Sequence, residues 1–257
     1  MKQLIIILCI YSIAYTANGQ TQISKTIPAN KLTSTNLNFE YADVLIKTWD
    51  KPEIKISGTV TINMGKNDDA FDIEIKEKNG QVSIKTSVDA ESLPKSVWGK
   101  RGGQSIIINE DEVDDYTCIN YGSHIENTFT IMIPSNLTLE SKSTYGSTTV
   151  EGFTKNIKII NTYGSIDAST KSINSENTIE FRSTYASVDL SIPQTAKADL
   201  ELKTDYGQIY SDLDMQINIK RNVTKKIFGD KINSKLNGGG NKIILESNYS
   251  NIYIRES

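Results

Sequence analysis

The sequence predicts an all-β fold: a stacked solenoid with coils of about 20 residues, preceded by a less regular β-strand region. Three observations predict it. Apolar residues alternate with period two, one tyrosine-centred phrase returns five times in the second half, and an Asn-Gly pair separates two alternating runs. Period two sends successive side chains to opposite faces and so marks half-buried strands. A phrase that returns at a near-constant interval marks units that bury their apolar face only against one another.

The first element is not part of the fold. Met1-Lys2-Gln3 precedes an apolar run from Leu4 to Ala14 and then Tyr15-Thr16-Ala17-Asn18-Gly19-Gln20. A charged start, a short apolar core and small residues at Ala17 and Gly19 predict a secretory signal peptide over 1–19, cut before Gln20. The run is shorter than the roughly 20 apolar residues of a spanning helix. Cys9 follows Ile6-Ile7-Leu8 without the small residue that precedes an acylated cysteine, so lipidation is not expected. Removing 1–19 removes only Lys2 as a charge, which leaves 27 basic and 31 acidic residues, or −4 against −3 for the whole chain. That balance offers no basic field to nucleic acid or an anionic membrane. One cysteine, Cys118, remains, so no internal disulfide is expected even in an oxidising compartment. Residues 20–257 read as a single all-β domain, irregular over 36–133 and regular over 134–257, with no transmembrane segment.

From Asn36 to Thr86 the apolar residues alternate: Phe39 and Tyr41, Val44 and Ile46, Ile54 and Ile56, Phe71, Ile73 and Ile75, Val82 and Ile84. Asn79-Gly80 between the last two runs predicts a type I′ hairpin, because both central positions of that turn need positive φ. Residues 87–105, with Pro94, Trp98 and Gly99-Lys100-Arg101-Gly102-Gly103, read as a loop, as does the acidic run Glu110-Asp111-Glu112-Val113-Asp114-Asp115. The glycine-rich stretch lacks the spacing of a phosphate loop, and the acidic run lacks that of a calcium loop.

The second half repeats itself. Ser143-Thr144-Tyr145-Gly146-Ser147 returns as Asn161-Thr162-Tyr163-Gly164-Ser165, Ser183-Thr184-Tyr185-Ala186-Ser187, Thr204-Asp205-Tyr206-Gly207-Gln208 and Ser247-Asn248-Tyr249-Ser250-Asn251. The tyrosines are 18, 22, 21 and 43 residues apart, and Phe228-Gly229 halves the last interval as a degenerate copy. Tyr121-Gly122-Ser123 reads as an earlier one. Apolar residues precede each tyrosine at matching parity, as in Ile157, Ile159, Tyr163 and Ile179, Phe181, Tyr185. The next apolar residue then comes three positions on, at Ile166, Val188, Ile209 and Ile252, a step that a continuous strand makes only by changing faces. The small residue after the tyrosine therefore marks a corner or bulge. Stacked copies place like residues about 4.8 Å apart. This predicts one column of Tyr145, Tyr163, Tyr185, Tyr206, Phe228 and Tyr249 at successive coils, beside a Ser/Thr/Asn column. A tyrosine packed above and below in this way is expected to cost about 3 kcal/mol on truncation, as core residues do. Ile133-Pro134 and Ile192-Pro193 each put a proline where a strand must stop.

The repeated strand, the Thr-Tyr-Gly corner, the Ile-Pro strand ends and Gly238-Gly239-Gly240 before Ile243-Ile244-Leu245 resemble a bacterial adhesin-like family of exported β-solenoid proteins. The resemblance covers residues 36–257. It implies a right-handed β-helix or β-roll at the cell envelope and supplies no functional residue to carry over.

No catalytic, cofactor-binding or metal-binding set emerges from the residues. His124 is the only histidine and Cys118 lies six residues before it, the one Cys/His pair available for nucleophilic chemistry. One Cys and one His fall short of the three or four ligands of zinc. Asp167 and Asp189 each stand four residues after a repeat tyrosine, so stacking would pair them as a cation-holding or proton-sharing couple. The expectation is a non-catalytic binding scaffold of the periplasm, outer membrane or cell surface, taking a surface glycan or protein and needing no cofactor. The alternatives are a carbohydrate-active β-helix enzyme resembling the polysaccharide lyases, which would need a groove of Asp, Arg or Lys, and an envelope accessory protein that binds another protein.

Overall fold

Residues 20–93, 97–101, 104–108, 118–121, 123–153, 155–173, 177–217 and 229–257 are described by the computed structural model of the chain. The expected signal peptide with Cys9, the acidic run at 110–115, Pro94 and Phe228 lie outside the described residues.

Strands account for nearly all regular structure. The first part gives β1 (Thr21–Pro28), β2 (Ser34–Phe39), β3 (Ala42–Trp49), β4 (Glu53–Val60), β5 (Phe71–Lys78) and β6 (Gln81–Val88). Then come β7 (Val97–Arg101), β8 (Gln104–Ile108), β9 (Cys118–Tyr121) and β10 (Asn127–Pro134). The repeat region gives β11 (Thr138–Ser143), β12 (Thr148–Glu151), β13 (Asn156–Asn161), β14 (Ile166–Ser169), β15 (Thr178–Ser183), β16 (Val188–Ile192), β17 (Ala198–Thr204) and β18 (Ile209–Ser211). The chain closes with β19 (Gln216–Ile217), β20 (Asp230–Leu236), β21 (Asn241–Ser247) and β22 (Ile252–Glu256). Among the described residues no helix is long and apolar enough to cross a membrane.

The strands form two large sheets and one small one. The first runs β1-β4-β10-β3-β12-β14-β16-β22-β18, the second β19-β20-β17-β21-β15-β13-β11-β2-β6-β5, and β8-β7-β9 stand apart. Each copy of the tyrosine phrase joins them: a longer strand in the second sheet, a corner at the tyrosine, then a shorter strand in the first. Pairing between copies is parallel, with Ile157↔Ile179 and Ile159↔Phe181 in one sheet and Ile166↔Val188 and Ala168↔Leu190 in the other. The alternating residues point inward from both sheets. Ile159, Phe181, Leu202 and Leu245 face Val150, Ile166, Val188, Leu190 and Ile252 in one continuous apolar core.

The Asn79-Gly80 hairpin is present between β5 and β6, with φ of 53° and 75° at its two central residues. Both proline signals fall at strand ends, since β10 ends at Pro134 and β16 stops just before Pro193. Four expectations need correction. Residues 87–105 are not one loop, because β6 reaches Val88 and β7 and β8 pair antiparallel from Val97↔Ile108 to Arg101↔Gln104. The β-branched run Ile106-Ile107-Ile108 outweighs the glycines that flank it. The strand before Gly122 does not repeat the copies' arrangement, for β9 pairs antiparallel with β7 in the small sheet rather than parallel with a repeat strand. The order of copies in space differs from the order in sequence, because β21 lies between β15 and β17. After β17 the chain returns antiparallel as β20, then crosses the start of β17 at Asn237-Gly238-Gly239-Gly240, where φ is 50°, 88°, 91° and 156°. Glycine takes such values without a Cβ clash. The Asn237 amide donates to the carbonyls of Gln194 and Ala196 and holds the crossing in place.

The fourth correction concerns the tyrosines, which do not continue the inward face. The last buried position of each longer strand is the residue two before the tyrosine: Ser143, Asn161, Ser183, Thr204 or Ser247. The chain turns there and the ring swings outward, so the three-residue step to the next apolar residue is the passage around the corner.

Candidate functional site

The corner is built by hydrogen bonds that run from copy to copy. Tyr163 donates its backbone N–H to the Thr144 carbonyl at 3.0 Å, Tyr185 to Thr162 at 2.9 Å, Tyr249 to Thr184 at 3.0 Å and Tyr206 to Asn248 at 2.9 Å. Beneath them the buried hydroxyls do double service. Ser183 Oγ donates to the Gly164 carbonyl of the neighbouring copy at 3.0 Å and accepts from its own Ala186 N–H at 3.2 Å. Ser247 does the same with Ala186 and Ser250, and Thr204 with Ser250 and Gly207. Asn161 reaches the Gly146 and Ser165 carbonyls with its amide. The buried polar side chains of these corners, Asn161, Ser183, Thr204 and Ser247, thereby find partners, as a low-dielectric interior favours. The small residue is explained by the same closeness, since a Cβ on Gly164 would lie 1.9 Å from the Gly146 carbonyl oxygen and one on Gly146 would lie 1.7 Å from that of Ala42.

This backbone frame sets the spacing of the rings. They stack in the order Tyr41, Tyr145, Tyr163, Tyr185, Tyr249, Tyr206, with centroid separations of 4.6, 5.0, 4.9, 5.0 and 5.0 Å and planes within 13° of parallel. Such separations between parallel rings are offset stacking. Tyr163 and Tyr185 remain 51% and 50% exposed, so ring faces meet one another while edges and hydroxyls meet solvent. Tyr41 heads the ladder, and its phenol is pushed above its ordinary value by burial, then by Tyr145 and Glu40. Tyr41 lies outside the five repeated phrases, yet Tyr41-Ala42-Asp43-Val44 carries their signal: a small residue after the tyrosine and an apolar one three positions on. A shorter stack, Tyr210 on Tyr253 at 5.2 Å, lies on the outer face of the first sheet.

The other sequence candidates fall as follows. Asp167 and Asp189 are cross-strand neighbours, as stacking requires. Burial raises the Asp189 carboxyl above its ordinary value and Asp167 adds to this, against the opposing pull of Arg255. Arg255 donates to Asp189 Oδ2 at 2.5 Å while resting on the Tyr253 ring, so Asp189 is engaged by a guanidinium. Among the described residues no group of three or more His, Cys, Asp or Glu side chains is placed to hold a metal ion. His124 Nε2 lies 2.9 Å from Glu126 Oε1. Cys118 opens β9, and its side chain lies outside the described residues.

On the opposite flank, the outer face of the second sheet carries alternating charges. Glu180 accepts from Arg182 at 2.7 Å and lies 3.1 Å from Lys158, and Glu246 accepts from Arg182 and from Lys203 at 2.7 Å. The charges of this row are paired with one another along the face.

The chain matches no protein family by sequence, and it matches no curated protein. Its fold is that of an all-β protein with two large sheets, and it is similar in structure to a solved protein of Clostridium sporogenes described as a "putative cell adhesion protein". The two share 12% identity at a TM-score of 0.61, over 93% of this chain and 100% of that one. A Bacteroides fragilis protein described as a "putative adhesin" aligns at 9% identity and a TM-score of 0.29, over 91% of this chain and 96% of that one. At such identities the first likeness is one of fold.

Proposed function

We propose that the chain is an exported, non-catalytic binding protein of the cell envelope, a β-solenoid that presents its tyrosine ladder as an adhesive strip. The ladder is the observation that carries this reading. A half-exposed aromatic adds little to a core that is already closed beneath it, yet five such rings, with the partly buried Tyr41 at their head, are held in line at one spacing. Tyrosine supplies large amphipathic contact area with few rotatable bonds, and stacking removes most of the freedom that remains. A surface ordered before contact loses less entropy on binding. The parallel pairing of successive copies and their alternation between two sheets support the solenoid, and the fold shared with an adhesion-named protein supports the envelope role. The right-handed β-helix or β-roll and the signal peptide remain parts of this proposal, resting on the family resemblance and on residues 1–19.

The test is adhesion of beads coated with the purified chain to cells and to immobilised envelope glycans and proteins. The double variant Tyr163→Ala, Tyr185→Ala is expected to fold and to lose most bead retention. Full retention by the folded double variant would overturn the reading.

A further inference from the structure

The ladder ends beside two open cavities that share a wall. One, of about 380 Å³, lies against Tyr41, Tyr145, Glu126 and Asn127. The other, of about 540 Å³, spreads over the outer face of the first sheet, where β4, β10, β3 and β12 offer Ser57, Thr59, Thr130 and Thr149. Asp43 and Thr128 line both, so the two form one trough. The trough exists because these strands carry short side chains outward where the neighbouring copies carry longer ones: Thr149 is followed across the sheet by Asp167, Asp189 and Tyr253.

The chemistry of the lining is specific. Among the described residues neither cavity is lined by lysine or arginine, so phosphate, sulfate or uronate would find no counter-charge from them. Leu45 gives the floor an apolar patch, and Tyr41 and Tyr145 put aromatic rings at one end. Asn127 lines the smaller cavity while its side-chain oxygen accepts from the Thr61 N–H at 3.2 Å. Asp43 is fixed by the Ser147 N–H at 2.8 Å to Oδ1, which leaves Oδ2 to accept from a ligand.

We propose that this trough is a binding subsite for a neutral oligosaccharide, whose hydroxyls meet the Asp43 carboxylate and the threonine hydroxyls and whose ring meets Leu45 and the tyrosine end. The volume is that of a small-ligand site. A site made of hydrogen-bonding groups rejects ligands that lack hydroxyls, because its own polar groups would be stranded. The proposal rests on the reading of the chain as a binding protein but not on the ladder being its adhesive surface.

The test is calorimetric titration of the purified chain with neutral glucan, mannan and N-acetylglucosamine oligomers, with heparin and polygalacturonate fragments as anionic comparisons. Neutral oligomers of at least one type are expected to bind and the anionic ones not. Thr128→Trp, which fills the shared wall, is expected to weaken binding at least tenfold, and Asp43→Asn, which keeps the acceptor for Ser147, about tenfold. Circular dichroism checks that both fold, and Asp43→Asn serves if Thr128→Trp does not. Lys242→Ala, exposed on the outer face of the second sheet and away from both the trough and the ladder, is expected to bind sugar unchanged. No binding of any neutral oligomer, a preference for the anionic fragments, or full affinity in folded Asp43→Asn would each overturn the subsite. Loss of bead adhesion in the ladder variants alongside full sugar affinity in the trough variants would leave the ladder reading standing and remove this one.

Discussion

At the scale of the residue, the difference between Phe181 and Tyr185 decides how the ladder is understood. They stand four positions apart on one copy, but Phe181 is fully buried and Tyr185 half exposed. Truncating Phe181 removes a core side chain and leaves a cavity, which costs about 3–5 kcal/mol. Truncating Tyr185 breaks two offset stacks, each worth about 0.5–1.5 kcal/mol beyond area burial. Tyr185→Ala is therefore expected to lose about 1–3 kcal/mol, no more than the sequence expectation of about 3 and less than Phe181→Ala, because solvent fills the space. Urea denaturation of the two variants side by side measures this. Equal losses would mean that the rings act as core.

At the scale of the element, the corner is governed by backbone approach. Gly164 sits where a Cβ would lie 1.9 Å from the Gly146 carbonyl oxygen. Ala186 and Ser250 hold the same position in other copies, so the requirement is local to the corners whose backbones approach closest. Gly164→Ala must push two copies apart and break the bond that Ser183 makes to the Gly164 carbonyl. The expected loss is about 2–4 kcal/mol, the sum of overpacking and a strained buried hydrogen bond. A thermal melt within a degree of the parent would show that the corner is slack.

At the scale of the whole molecule, the charged face of the second sheet links stability to pH. Burial alone would raise the Glu180 carboxyl, but hydrogen bonds from Arg182 and Lys158 outweigh it and hold the group below its ordinary 4.5. A carboxyl held lower in the folded than in the unfolded chain contributes stability above the unfolded value and loses it as pH falls through the folded value. The urea midpoint should thus fall on acidification below pH 4.5, and less steeply in Glu180→Gln. An identical acid slope in both proteins would assign the loss to other carboxylates.

The sequence by itself determined the alternating strands of the 36–86 region and of the repeats, the Asn79-Gly80 turn, the parallel stacking of copies and the alignment of Tyr145, Tyr163, Tyr185, Tyr206 and Tyr249, because each rests on local periodicity or on a residue whose backbone freedom is nearly unique. It also held Tyr41, whose Ala42 and Val44 match the repeat, though only pairing of β2 and β3 with the later copies makes that match meaningful. Tertiary structure decided the rest. Parity along a strand cannot tell that the chain turns at Ser183 and throws Tyr185 outward, since the turn depends on a carbonyl supplied by another copy. Nor can spacing tell that β21 slips between β15 and β17, because strand order is set by the path through Asn237-Gly238-Gly239-Gly240 and not by sequence distance. The trough was invisible for the same reason: Asp43, Ser57, Thr128 and Thr149 are ordinary outward polar positions until β10 and β12 are set beside β3 and β4, some 70 or more residues earlier in the chain.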